Sequence, residues 1–266
     1  MQEWYFNPVM FEIGPFKAHW YGFMYAISFL LGYLYLIFSK RCRKLDDGLK
    51  DSFIVYVILG IVLGGRIGYI LFYNIAYFLA SPAKIFAVWE GGMSFHGGLI
   101  GAALALMIFA KKHKVEFFVL GDIVTSFAPV GLFFAKIGNF INGELYGRIA
   151  QSWCLHFPSD PGNCRYPSQL LEAFLEGIVL FVVLYFIGRA TKKTGLVSAW
   201  FLVLYGIFRI FIEFFREPDA HIGFFFGFMT EGQLLSGLML ISGITAFILM
   251  RKKTAAARKK TSHRHQ

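Results

Sequence analysis

The sequence predicts an all-α integral membrane protein with seven transmembrane helices, the N-terminus outside, the C-terminus in the cytoplasm, and a small extracytoplasmic cap. Three observations carry that expectation. The 266 residues are 57% hydrophobic, 19% aromatic and only 16% charged, with a mean hydropathy of +0.58; a soluble domain carries about 25% charged residues. Continuous apolar runs recur at the roughly 20-residue length that an α-helix needs to cross a bilayer, without the period-2 alternation of barrel strands. Basic residues collect on alternate connections between those runs.

Residues 1–18 are broken by Pro8, Gly14 and Pro15 and cannot span. Trp4, Tyr5, Phe6, Met10, Phe11 and Ile13 make them an interfacial arm on the outer leaflet, and with no basic n-region they do not read as a secretory signal. The spans fall at about 19–38, 52–73, 94–110, 116–136, 169–188, 195–215 and 230–250. The third is short, with a Gly-rich start. Lys40, Arg41, Arg43, Lys44 and Lys50 follow the first span, and Lys111, Lys112 and Lys114 the third. Arg189, Lys192 and Lys193 follow the fifth, and Arg251, Lys252, Lys253, Arg258, Lys259, Lys260 and Arg264 the seventh. Most of the 26 Lys and Arg thus mark alternate connections, which the positive-inside rule assigns to the cytoplasm. An odd number of spans then leaves the N-terminus outside. The net charge of +10 is explained by this anchoring and is no argument for nucleic acid.

The chain reads as a single polytopic membrane domain over 1–266. Its basic cytoplasmic tail, 251–266, is expected to be disordered beside anionic lipid. The longest extracytoplasmic piece, about 143–168, is too short for its own core and forms the cap. On that side a disulfide between Cys154 and Cys164 is permitted, whereas Cys42 among cytoplasmic basic residues is incidental.

The informative residues are the polar ones at membrane depth. Residues 136–148 read Lys-Ile-Gly-Asn-Phe-Ile-Asn-Gly-Glu-Leu-Tyr-Gly-Arg. Asn139, Asn142, Glu144, Lys136 and Arg148 find no hydrogen bonds in hydrocarbon, so they pair with one another or with a polar ligand. Gly138, Gly143 and Gly147 let the backbone approach that ligand. Arg209 and Glu213 lie four apart with Tyr205 four earlier, on one helical face. Glu172 and Glu176 share a face at the start of the fifth span, with Ser168 a candidate N-cap before them. The orientation places Lys136, Arg209, Arg216 and Arg66 toward the outer side. Cations clustered without matching acids call for an anion between them, and guanidinium suits phosphate. His96, among Gly91, Gly92, Gly97 and Gly98, offers an imidazole able to exchange protons near neutral pH. Those glycines mark either irregular re-entrant backbone or tight helix packing. No metal-spaced His/Cys set is present. A transporter would place its charges near the midplane with a polar stripe through both leaflets; here the cytoplasmic halves are almost purely apolar.

The order of these blocks resembles the bacterial phosphatidylglycerol–prolipoprotein diacylglyceryl transferases over nearly the full length. The resemblance runs through His19-Trp20-Tyr21-Gly22, Gly64-Gly65-Arg66-Ile67-Gly68-Tyr69 and Trp89-Glu90-Gly91-Gly92-Met93-Ser94-Phe95-His96-Gly97-Gly98. It continues through Gly138-Asn139-Phe140-Ile141-Asn142-Gly143-Glu144 to Gly147-Arg148, then Tyr166-Pro167-Ser168-Gln169 to Glu172, Tyr205-Gly206 to Arg209 and Glu213, and Arg216-Glu217-Pro218. The Gly-Asn-Phe-x-Asn-x-Glu-x-x-Gly block is the family signature and is highly specific. The resemblance implies seven helices in the bacterial cytoplasmic (inner) membrane, with the site facing the periplasmic side. It implies transfer of the diacylglyceryl group of phosphatidylglycerol to the lipobox cysteine thiol of a prolipoprotein. That step forms a thioether, releases glycerol-1-phosphate, begins lipoprotein maturation and needs no cofactor. His96, Arg209 and Tyr21 fall in blocks used for catalysis. Lys136, Asn139, Asn142, Glu144, Gly147, Arg66, Tyr205, Glu213 and Arg216 fall in those that hold phosphatidylglycerol. Two positions depart from the pattern: Lys136 stands where the family has Arg, keeping the charge without the planar fork, and Tyr166 where it commonly has His.

Overall fold

A computed structural model describes residues 6–14, 16–73, 75–87, 91–218 and 229–262. Trp4, Tyr5, Trp89, Glu90 and the basic residue Arg264 lie outside them. Helices stand at all seven expected positions. They are α1 (Trp20–Phe38), α2 (Asp47–Tyr73), α4 (Phe95–His113) and α5 (Phe117–Ile141). A fifth run, 168–190, is α6 (Ser168–Glu172), a π-helical turn (Ala173–Val179) and α7 (Leu180–Ala190). It is followed by α8 (Leu196–Ile212) and α9 (Glu231–Ser262). A short α3 (Ile75–Ala80) follows α2. Five of these helical stretches, α1, α2, α5, 168–190 and 231–250, are long and apolar enough to cross a membrane, and α8 is apolar but shorter. Their outward faces expose Leu30, Leu34, Phe38, Leu63, Leu71, Ile241 and Leu249. Apolar surface on that scale requires a hydrocarbon solvent rather than water. The protein is a mostly helical membrane protein.

Both ends carry regular structure. The N-terminal arm is a hairpin: β1 (Val9–Ile13) pairs antiparallel with β2 (Phe16–His19) around Gly14 at φ +58°. A non-glycine residue enters that left-handed region only under strain. The basic tail continues α9 to Ser262 instead of being disordered, because Ala, Lys and Arg between 251 and 260 are strong helix formers.

The chain folds as two compact units. One comprises Tyr33–Ile123, the other Met1–Gly32 with Val124–Gln266. In the first, α2 and α4 pack through glycine. Gly60, Gly64 and Gly68 recur every four residues on α2, opposite Gly97 and Gly101 on α4. A Cβ on Gly64 or Gly68 would fall 2.7 Å from the Cα of Gly101 or Gly97. Of the two readings of the Gly-rich start of α4, close helix packing is the one realised at Gly97. In the second unit, Leu180, Leu184, Val197, Phe201 and Tyr205 form the core between α7 and α8. The cap is β3 (Leu155–Phe157) paired with β4 (Asp160–Arg165), joined by the Cys154–Cys164 disulfide.

Candidate functional site

The signature block sits at the cap end of α5. The helix stops because Gly143 takes φ +66° and its N–H reaches the Phe140 carbonyl at 3.1 Å, a C-terminal cap open to glycine. The turn folds back: the Glu144 N–H donates to the Asn139 carbonyl at 3.0 Å, and Asn142 Nδ2 to Glu144 Oε1 at 3.3 Å. Gln169 Nε2 donates to the Glu144 carbonyl at 2.7 Å, fixing the turn to α6. Desolvation pushes the Glu144 carboxyl above the usual range, against the lowering bond from Asn142. Asn139 is buried. Tyr21 of α1 packs on Gly138, whose Cβ would lie 2.9 Å from its ring, and its hydroxyl meets that of Tyr25 at 3.1 Å. Gly147 donates to the Tyr166 carbonyl at 2.8 Å and pairs with Arg216; a Cβ there would lie 2.5 Å from the Phe215 carbonyl oxygen. Only glycine fits. Ser168 is not the N-cap expected of it: Pro167 takes that place, and the Ser168 hydroxyl donates to the Leu145 carbonyl at 3.3 Å.

In the same unit α5, α6, the π-helical turn and α8 bring their charges together. Glu172 takes Lys136 Nζ at 2.8 Å on one oxygen, and the Arg209 guanidinium and Arg216 Nη1 (3.5 Å) on the other. Arg209 also meets Glu213 at 2.5 Å and lies 3.8 Å from Glu176. Thr230 donates its hydroxyl to Glu213 Oε2 at 2.8 Å. The Arg148 side chain donates to the carbonyls of Arg216 and Glu213, tying the signature block to the end of α8. Tyr205 is buried one turn before Arg209, within electrostatic reach of Glu176.

This corrects one expectation. The cations do have matching acids, and these are Glu172, Glu176 and Glu213. The sequence held the signal, two carboxylates four apart at membrane depth, but α6 and α8 had to be seen side by side to join it to Lys136 and Arg209. The acids are the more deeply buried partners: Glu172 and Glu176 are 0% exposed, whereas the side chains of Lys136, Arg209 and Arg216 keep 14%, 11% and 11%. The widened π-helical turn carries Glu176, and such turns cluster at functional sites.

Arg66 and His96 belong to the other unit. Arg66 directs all its N–H groups at backbone carbonyls: Nε to Ile85 (3.0 Å), Nη1 to Gly91 (2.5 Å) and Gly92 (3.1 Å), Nη2 to Lys84 (2.6 Å) and Ala87 (3.2 Å). It lies 5.0 Å over the Phe78 ring. These hydrogen bonds tie the Arg66 guanidinium to the backbone at 84–87 and 91–92. His96 is half-buried in the first turn of α4, beside Ser94, whose hydroxyl caps the helix by accepting from the Gly97 N–H at 3.2 Å. Asp219, Ala220 and His221, which follow Pro218, lie outside the described residues.

In the cap, Arg165 joins Asp160 to Glu217 (3.2 Å) and covers the Tyr146 ring at 4.8 Å. Hydrogen bonds from Arg165 and Asn163 hold the Asp160 carboxyl below the usual carboxylate range.

Comparison with known proteins agrees with the resemblance read from the motifs. The family model described as prolipoprotein diacylglyceryl transferase matches residues 8–249. Among similar proteins named phosphatidylglycerol–prolipoprotein diacylglyceryl transferase, that of Geobacter sulfurreducens is 47% identical over 257 residues, 95% of this chain and 98% of its own. That of Bradyrhizobium diazoefficiens is 46% identical over 263 residues (94% and 93%), and that of Azospirillum brasilense 45% over 258 (94% and 96%).

Proposed function

Because the chain belongs to the prolipoprotein diacylglyceryl transferase family, we propose that it moves the diacylglyceryl group of phosphatidylglycerol onto the lipobox cysteine thiol of a prolipoprotein, the first step of lipoprotein maturation. The substrate's thiol loses its proton and the sulfur attacks the diacylglyceryl carbon that carries the phosphate ester. A C–S bond forms, the C–O bond breaks, and glycerol-1-phosphate leaves with the electron pair on its phosphate oxygen. Nucleophile and leaving group both come from the substrates, so the step needs no cofactor.

The observation that carries this reading is the cluster around Glu172: three cations, each keeping a little accessible surface, converge on one fully buried carboxylate. Lys136, Arg209 and Arg216 bind the phosphate and stabilise the charge that develops on the departing oxygen. Glu213 orients Arg209 from behind. Tyr21, Asn139, Asn142, Glu144 and Gly147 shape the glycerol head-group end of the site, and Tyr205 supports Arg209. His96 is the proposed proton acceptor for the thiol. The chain crosses the bacterial inner membrane seven times with its N-terminus outside, and the site opens to the periplasmic leaflet.

The test uses purified protein, phosphatidylglycerol and a lipobox peptide. Glycerol phosphate release should depend on the peptide thiol. Equal release with a Cys→Ser peptide would defeat the transfer reading.

A further inference from the structure

Glu172 occupies the middle of the cation cluster as a resident anion. Its oxygens meet Lys136 at 2.8 Å, Arg216 at 3.5 Å and the Arg209 guanidinium, and no part of the side chain is accessible. Glu176, equally buried, lies 3.8 Å from Arg209, and neither of its oxygens accepts a hydrogen bond. With Glu213 on the far side of Arg209, the cluster sets three carboxylates against three cations. A site built only to hold phosphate tightly would be better without those acids. Stability does not explain them either, since a buried ion pair is rarely more stable than an apolar replacement.

We infer that Glu172 sets the charge selectivity of this site, admitting a singly charged phosphodiester and expelling the doubly charged phosphomonoester formed from it. The inference rests on the transfer reading and adds a product-release device to it. Phosphatidylglycerol carries one negative charge, and the released monoester carries about −1.5 to −2 at neutral pH. The Glu172 carboxylate is held among the same cations that would hold the phosphate, so charge added on bond cleavage falls within a few ångström of it. At about 5 Å and an effective dielectric of about 20, one extra unit of charge is disfavoured on the order of a hundredfold. Glu176 adds to the same field from further back. Glu172 is on this account a positioning and selectivity residue, acting through the cations it holds.

The experiment compares the full-length wild-type chain with Glu172→Gln in nanodiscs, assaying thiol-dependent transfer with a lipobox peptide. The inhibitors are glycerol-1-phosphate, a monoester, and glycerophosphoglycerol, the matching diester. In Glu172→Gln the inhibition constant for the monoester should fall at least tenfold while that for the diester falls markedly less. kcat should drop more than KM changes, as product leaves slowly. Unchanged inhibition constants, or equal shifts for both esters, would overturn the inference. Lower thermal stability with unchanged inhibition would do the same, leaving a purely structural residue. If Glu172→Gln does not fold, Glu176→Gln is read in its place, with a smaller shift expected in the same direction; no shift there overturns the idea. Absence of thiol-dependent release by the wild type would instead count against the transfer reading.

Discussion

Arg209→Met is the substitution that best separates structure from chemistry in this site. Arg209 meets Glu213 at 2.5 Å, Glu172 through its other terminal nitrogen, and Glu176 at 3.8 Å, and the three acids are all buried. Methionine fills comparable volume and contributes no charge. Glu172 then keeps Lys136 and Arg216, and Glu213 keeps the Thr230 hydroxyl at 2.8 Å. Removing one partner of a buried pair costs about 3–5 kcal/mol, because the remaining charge is stranded. The single variant should therefore unfold at a clearly lower temperature in detergent. Adding Glu213→Gln removes one stranded charge and leaves the amide able to accept from Thr230, so the double variant should recover at least half of the loss. Transfer should not recover. A lost charge-stabilising donor lowers turnover on the order of 10²–10³-fold, and both variants should show that deficit in glycerol phosphate release. An Arg209→Met chain as stable as wild type would refute the ion-pair geometry. A double variant that regains transfer would refute the phosphate role.

The remaining predictions bear on other parts of the molecule. Lys136→Arg should retain transfer, because Arg also reaches Glu172 from α5 and adds a planar fork for phosphate; a dead but folded variant in the release assay would show that this position depends on lysine. Gly64→Leu should lower thermal stability by at least about 2 kcal/mol, since its Cβ already meets Gly101 of α4 at 2.7 Å. Gly237→Ala, with open space around the added carbon, should be neutral or slightly stabilising in the same melt. Asp160 has a folded pKa below its ordinary 3.8, so its contribution to the cap is complete above that value and is lost as pH falls through the folded pKa. Cap protection against proteolysis should decline in that acid window, and Asp160→Asn should remove the Asp160 part of the dependence.

The helices were legible from apolar length alone, because hydrocarbon leaves backbone groups no partner outside the helix. So was the signature block, whose glycines mark backbone contacts: Gly143 as a left-handed cap and Gly147 against Phe215. The partners of Arg66 and Glu172 were not. Which groups a guanidinium beside glycines meets is not set locally, and only the folded chain brings the carbonyls of Lys84, Ile85, Ala87, Gly91 and Gly92 onto Arg66. The glycine period at 60, 64 and 68 was visible in the sequence, but its meaning depended on a partner helix with glycines in matching phase.

By itself the sequence determined that this chain belongs in a bilayer, which stretches become helices, and which few polar residues must be satisfied there. These are local quantities, set by the length of apolar runs and by the cost of an unpaired polar group in hydrocarbon. Only the tertiary structure decided who satisfies whom. Glu172 on α6 and Arg209 on α8 are far apart along the chain, and their pairing depends on how helices pack side by side. No local pattern encodes that packing, and so neither the acids paired with the cations nor the carbonyls around Arg66 could be read before the helices were assembled.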